Sequence, residues 1–322
     1  MLFERNLAWL KSRVKTVASI AIFLLALFLV FEERNVLDLR KPLPGPTLPV
    51  IPNNIWQVFL HQREIDPGLH PAIHSWAELN PNHEYHLVET VQATDILFEL
   101  YKFRPDIVHT FQRIESTVLR ADFLRYILLA RYGGVYTDVD TVALKPISEW
   151  IPEQYKNFTG VVIGIEYDQL DDKARHVSMP HSLSLCQWTM AATANHPLLW
   201  YTVDEAMFAI HSLADYYKTD VEHLKPTDKE VIVTTGPSLW TSTVIKYLHN
   251  RGHYNISYSD FSGLKEPKLM DDILILPIDA FGTGQPHSNS TKEGSPDALA
   301  LHKFSMSWRH GCTPGDTKPC WN

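Results

Sequence analysis

The sequence predicts an α/β fold, a mostly parallel sheet with helices on both faces, and three observations carry that expectation. Strand-like and helical segments alternate from Asn54 to Lys303. A helical pattern running from Ile114 to Tyr132 stops at Gly133, where a C-terminal cap belongs, and passes straight into a strand-like stretch. That stretch, GGVYTDVD from Gly133 to Asp140, sets two carboxylates at the carboxyl end of a strand, where open α/β sheets gather ligands.

In chain order, Asn54 to Phe59 (NIWQVF) is rich in β-branched and aromatic residues and reads as the first strand. Helices are expected across Asp95 to Tyr132; the last of them carries Val118, Leu119, Phe123, Tyr126, Ile127 and Ala130 at helical spacing. Strands are expected at Val135 to Val142, Gly160 to Glu166 and Leu183 to Ala191, and helices at Pro197 to Ala214 and Ser238 to Asn250. Ile273 to Leu276 and Ala298 to Lys303 complete the strand set. No internal repeat is visible.

The 322 residues, 45% of them hydrophobic, can bury a full core, and one large domain is favoured over two small ones. The balance of 29 basic against 37 acidic residues gives a net charge of −8, which argues against nucleic acid as a bulk partner. Thr16 to Phe31 is an uncharged, mostly apolar run of 16 residues preceded by Arg5, Lys11, Arg13 and Lys15. As a helix it spans about 24 Å, enough for a thin early-secretory bilayer. Glu32, Glu33 and Arg34 follow without a small-residue cleavage site, so an uncleaved anchor is expected rather than a signal peptide.

The positive-inside rule then divides the chain into a cytosolic tail at 1–15, a membrane anchor at 16–31, a proline-rich stem at 32–50 and a lumenal domain at 51–322. Sequons at Asn157, Asn255 and Asn289 agree with a lumenal placement. Cys312 and Cys320 are close enough in the tail for a disulfide, whereas Cys186 reads as a buried thiol.

On an extended strand, residues i and i+2 point the same way, so Asp138 and Asp140 are expected to converge on one divalent cation, leaving coordination positions for water and phosphate oxygens. Upstream, Asp122 and Arg125 share one helix face among bulky apolar neighbours, which a plain ion pair would also explain.

The run RADFLRYILLARYGGVYTDVDTVALKPI resembles the sugar-nucleotide segment of glycosyltransferase family 32, which includes the fungal initiation-specific alpha-1,6-mannosyltransferases. IPNNIWQ, SWAELNPNHEYHL, GIEYD, LCQWTMAATANHPLL, TTGPSLWT and LHKFSMSW match in the same order, so the likeness runs from Ile51 to Trp308. It implies a GT-A nucleotide-sugar fold, retention of configuration, a GDP-mannose donor, a mannose-containing glycan acceptor and Mn²⁺ or a similar ion. It also implies a Golgi enzyme, anchored as a type II protein, that partners other Golgi glycosyltransferases.

Carried onto this sequence, the resemblance places Trp56 against the nucleotide base and Arg120, Asp122 and Arg125 on the donor. Tyr136 touches the nucleotide, Asp138 meets the ribose or the metal through water, and Asp140 and His302 ligate the metal. Ser307 and Trp308 close over the diphosphate. Gln187, Asp168 and Glu166 are candidates for the reacting face. Asp140→Asn is expected to weaken metal and diphosphate binding and lower transfer by orders of magnitude, with little effect on stability, since it relieves like-charge repulsion with Asp138.

Rival readings come from other classes. DVDTV also fits the nucleophile motif of haloacid-dehalogenase-like phosphatases, but the hydrophobic strand which that motif needs immediately upstream is replaced by Gly133-Gly134-Val135-Tyr136-Thr137. A noncatalytic glycan-binding protein would have no use for the donor positions. Within the family, a mannosyltransferase acting on inositol phosphoceramide or another lipid or glycan acceptor is the alternative, and it is expected to carry further spans near its C-terminus.

Overall fold

The computed structural model describes residues 49–61, 64–170, 181–285 and 288–305. The expected anchor at 16–31, Ser307, Trp308 and the Cys312–Cys320 pair lie outside them. Among the described residues no helix is long and apolar enough to cross a membrane.

The first half runs β1 (Asn54–Val58), α1 (His70–Leu79), β2 (Glu84–Val88), α2 (Thr90–Leu100), α3 (Pro105–Arg113), α4 (Thr117–Tyr132), β3 (Gly134–Thr137) and β4 (Thr141–Ala143). It continues with β5 (Val161–Asp168), β6 (Leu183–Ala192), α5 (Pro197–Tyr217), α6 (Asp228–Thr234), α7 (Pro237–Asn250), β7 (Lys268–Met270), β8 (Ile273–Leu276), α8 (Asp279–Gly282) and β9 (Ala300–His302). Helix starts follow local chemistry. Proline opens α3, α5 and α7, where its missing N–H costs nothing. Glu89 and Gln92 cap α2 reciprocally, and Thr227 and Glu230 do the same for α6.

Seven strands form the main sheet in the order β2-β1-β3-β6-β5-β8-β7, while β4 and β9 make a separate pair. The sheet is mixed rather than mostly parallel: β1 runs parallel to β2 and β3, and β5 to β8, but β6 is antiparallel to both β3 and β5, and β7 to β8. The reason is local. Asp168 pairs with Leu183, so β5 and β6 close on each other as a long hairpin, and a hairpin forces antiparallel strands.

The predicted strand Val135 to Val142 is two strands, because the chain turns at Asp138 and changes sheets. The helix expected from Ile114 begins only at Thr117, since Ile114 and Ser116 are extended. α1, β2 and β7 are not among the elements that the sequence predicts. Their half-exposed sequences lack the dense apolar runs of the central strands.

Ile55 and Val135 face one apolar layer with Trp76, Trp150 and Phe281; Trp56 and Tyr136 face the other, with Phe123, Tyr126 and Trp240 beneath α4, α5 and α7. Both layers are closed to water, and Cys186 is buried in β6 as expected. Two glycines make the junction before the motif possible. Gly133 and Gly134 have φ of 65° and 95°, and a Cβ on Gly134 would lie 2.5 Å from the Asn54 carbonyl oxygen of β1.

Candidate active site

The motif carboxylates converge, but not by strand alternation. Asp138 and Asp140 flank a turn, and the Asp138 carbonyl accepts hydrogen bonds from Gln57 Nε2 at 3.0 Å, Thr141 Oγ1 at 2.6 Å and the Thr141 N–H at 3.1 Å. The Asp138 N–H donates to the Trp188 carbonyl at 2.9 Å. Gln57 is fully buried and is itself held by the Tyr85 hydroxyl, which donates to its Oε1 at 2.6 Å. Trp76, from α1, donates its indole N–H to Thr141. The turn is therefore pinned from β1, β2, β6 and α1.

Pairing of β4 with β9 sets Thr141 opposite His302, which brings the C-terminal histidine beside the motif. Ligand atoms of Asp138, Asp140 and His302 all lie within 4.8 Å of one another. His302 Nε2 is 3.1 Å from Asp140 Oδ1 and 4.0 Å from Asp138 Oδ2. Neither imidazole nitrogen is aligned for a hydrogen bond, although both are buried. A buried nitrogen without such a partner, facing two carboxylates, fits a shared cation, and two carboxylates with one imidazole suit a Mn²⁺-like ion.

The imidazole stacks on Trp188 with centroids 4.6 Å apart and meets the edge of Phe304 at 3.9 Å. Asp140 Oδ2 accepts the Ser305 N–H at 2.8 Å, and the Asp140 carbonyl accepts the Lys303 N–H at 2.9 Å. Burial alone would raise the Asp140 carboxyl, but His302 and the Ser305 N–H bring it down to about 2. Burial likewise opposes the charge on His302, yet Asp140, Asp138 and Glu166 overcome it and raise its affinity for a proton.

Next to this cluster, Arg125 Nη2 lies 2.8 Å from Asp122 Oδ1 and 3.2 Å from Asp138 Oδ1, all in or at the edge of the core. Burial disfavours the guanidinium charge, but Asp122 and Asp138 hold it protonated. Burial pushes Asp122 up to about 6 against the pull of Arg125 and of Thr235, whose hydroxyl donates to Asp122 Oδ2 at 2.8 Å. The Tyr136 hydroxyl donates to Asp138 Oδ1 at 2.6 Å from beneath, with Arg125 over its ring. Gln187 reaches the same centre: its Oε1 accepts from the Tyr126 hydroxyl at 2.7 Å.

Three candidates stand elsewhere. Asp168 is a structural latch, its carboxylate saturated by Ser262 Oγ at 2.7 Å and the N–H groups of Gly263 at 2.6 Å and Leu170 at 3.1 Å. Trp56 is a core residue; its N–H donates to the Gly133 carbonyl at 2.8 Å and its ring stacks on His86, while the next residue, Gln57, is the one that reaches the motif. Arg120 lies half-buried over the Phe111 ring, outside the Asp122–Arg125 pair. Two residues along a helix point roughly 200° apart, which explains the separation from Asp122. Asn157, Asn255 and Asn289 are exposed, and Asn289 Nδ2 donates to the Asp168 carbonyl at 2.6 Å.

Gln57, Tyr85, Tyr126, Trp188 and Thr235 are not among the site residues that the sequence predicts. Only Gln57 gave a readable signal, a polar residue within an apolar strand. The others are recruited by pairing between distant segments.

Residues 68–157 match the family model described as the glycosyltransferase sugar-binding region containing the DXD motif. The initiation-specific alpha-1,6-mannosyltransferase of Candida albicans is 30% identical over 290 residues, covering 82% of this chain and 73% of that protein. The protein of the same description from Schizosaccharomyces pombe is 32% identical over 262 residues, covering 80% of this chain and 64% of its own length. The solved PaToxG glycosyltransferase is 18% identical and superposes with a TM-score of 0.42 over 63% of this chain and 72% of that one, which adds nothing to the sequence match. The likeness to the Candida protein extends over most of both sequences, and on that ground the chain belongs to the DXD-motif glycosyltransferases of family 32.

Proposed function

We propose that this protein is a retaining mannosyltransferase of the GT-A type, moving mannose from GDP-mannose to a mannose-containing N-glycan in alpha-1,6 linkage. The observation that carries the proposal is the Asp138–Asp140–His302 cluster set against the buried Arg125–Asp122 pair. Its relatives in Candida albicans and Schizosaccharomyces pombe are named as mannosyltransferases, which supports the sugar. Mn²⁺ is the proposed ion, and the Golgi membrane, with the domain from 51 onward in the lumen, the proposed location.

Asp138, Asp140 and His302 would hold the metal, which supplies positive charge against the diphosphate as it departs. The chain's own part is positional. Arg125 adds a fixed cation beside the same oxygens, and Asp122, held by Arg125 and Thr235, presents a carboxylate edge to sugar hydroxyls. Because these groups are already oriented by one another, little reorganisation is needed as charge develops on the leaving group. A front-face substitution, with the hydroxyl entering on the side from which the diphosphate leaves, is the course proposed.

The full chain in detergent, given GDP-mannose or UDP-sugars and a mannose-terminated glycan, tests the reading. Transfer is expected from GDP-mannose with Mn²⁺ and is expected to vanish in excess chelator. Full activity in chelator would sink the metal assignment, and transfer confined to UDP-sugars would sink the donor.

A further inference from the structure

Away from the site, one group of apolar side chains is left uncovered. Phe98, Tyr101 and Phe103, at and just beyond the end of α2, are 74%, 49% and 69% exposed. No other stretch of the described residues exposes three large apolar side chains within six positions. A contiguous apolar patch of this kind marks a surface that something else covers. Lys102 stands exposed among the rings, and the Arg131 guanidinium lies 5.9 Å from the centre of the Phe103 ring and 5.5 Å from that of Tyr132. The carboxylates beside it are engaged: Glu99 accepts the Tyr132 hydroxyl at 2.9 Å, and Asp106 accepts from Arg104 at 2.8 Å.

Topology fixes the end of the sheet to which these residues belong. α2 runs back from the carboxyl end of β2, and Glu99 in its last turn holds Tyr132, the residue before Gly133 and Gly134. Gly134 packs against Asn54, the first residue of β1. The aromatic group therefore sits at the amino ends of β1 and β3, which pair in parallel, and Val50, 72% exposed, lies on the stretch that leads into β1. Asp138 and Asp140 follow the opposite end of β3.

Two observations choose the occupant. Phenylalanine and tyrosine interleaved with lysine and arginine suit a membrane interface, where rings enter the boundary between headgroups and acyl chains and cations meet lipid phosphates. The core of a protein interface, by contrast, is depleted in lysine. The second observation is reach. Residues 32–48, between the anchor expected at 16–31 and the first described residue, span at most about 60 Å when extended. The stem joins the domain at the end that carries the aromatic group, so a bilayer that holds the anchor can be met by that end first.

We propose that the face formed by Phe98, Tyr101, Lys102, Phe103 and Arg131 docks on the surface of a phospholipid bilayer. The inference rests on the proposed membrane location and is independent of the metal and donor assignments. Docking turns the motif away from the lipid, since β1, five residues long, already sets the two ends of the sheet about 17 Å apart. A site held in that way opens toward glycans on lumenal proteins rather than toward sugars at the lipid headgroups.

The test places the full chain in phosphatidylcholine vesicles that contain a phosphatidylcholine with a photoreactive diazirine high on one acyl chain, and maps the labelled peptides by mass spectrometry. Label is expected at residues 16–31 and again at residues 98–103. In the double variant Phe98→Ser, Phe103→Ser the second label is expected to fall at least about tenfold with the first unchanged. Transfer to a soluble glycan should stay within about twofold, because both side chains are exposed and remote from the motif. Label confined to 16–31, or label at 98–103 that survives the double substitution, would overturn the proposal. So would a lysine crosslinker that joins Lys102 of two wild-type chains, since a second copy would then cover the face. Label at 98–103 without label at 16–31 would remove the anchor and keep the docking; label at neither would remove both.

Discussion

Replacing Asp140 by asparagine should destabilise the metal-free protein, contrary to the expectation from sequence that relief of repulsion with Asp138 would leave stability unchanged. In the structure Asp140 is paired: Oδ1 lies 3.1 Å from His302 Nε2 and Oδ2 accepts the Ser305 N–H at 2.8 Å. Its carboxyl is brought from 3.8 down to about 2. At about 1.4 kcal/mol per unit, that shift corresponds to roughly 2.5 kcal/mol of stability carried by the ionised form.

A depressed carboxyl contributes above its unfolded value of 3.8 and loses the contribution as pH falls toward 2. His302, raised from 6.5, contributes fully below 6.5 and loses its share as pH climbs through its folded value. The cost of Asp140→Asn should therefore be greatest between about pH 4 and 6.5 and shrink in alkali toward what the Ser305 hydrogen bond supplies. Urea unfolding in excess chelator, followed by tryptophan fluorescence across that range, measures it. A loss that is absent, or equal at every pH, would refute the pairing argument. With Mn²⁺ restored, transfer by the same variant should fall by orders of magnitude.

Two further outcomes test the support around the site and the chain's orientation. Gln57→Leu removes the hydrogen bond from Nε2 to the Asp138 carbonyl and strands the Tyr85 hydroxyl, so stability should drop by about 1 to 3 kcal/mol and Mn²⁺ affinity should fall, as read by unfolding and by metal titration; unchanged metal affinity would separate Gln57 from the motif. In intact microsomes the region after residue 51 should resist protease until detergent is added, and Asn157 and Asn255, both in exposed turns, should carry glycans removable by endoglycosidase; digestion without detergent would contradict the proposed topology.

The sequence by itself determined the local events. The helix that ends at Tyr132, the paired glycines and the position of Asp138 and Asp140 after a strand were all legible, because each follows from periodicity and from backbone freedom within a few residues. The family was legible too, through motifs in a fixed order. What only the tertiary structure decided is how distant segments meet. The antiparallel course of β6 comes from its hairpin with β5, and no local propensity records the direction in which a strand returns. Asp168 and Glu166 lie two residues apart in GIEYD, yet the pairing of β5 with β6 is irregular between Ile165 and Tyr167, and Ser262 and Gly263 saturate Asp168 while Glu166 Oε2 is buried without a hydrogen-bond partner. Trp56 and Gln57 likewise differ by one step of strand alternation, which sends the tryptophan into the core and the glutamine to the motif. Residue type names what a side chain can do, but its partners, and hence its charge and its freedom to meet a substrate, are set by chain segments that the local sequence does not contain.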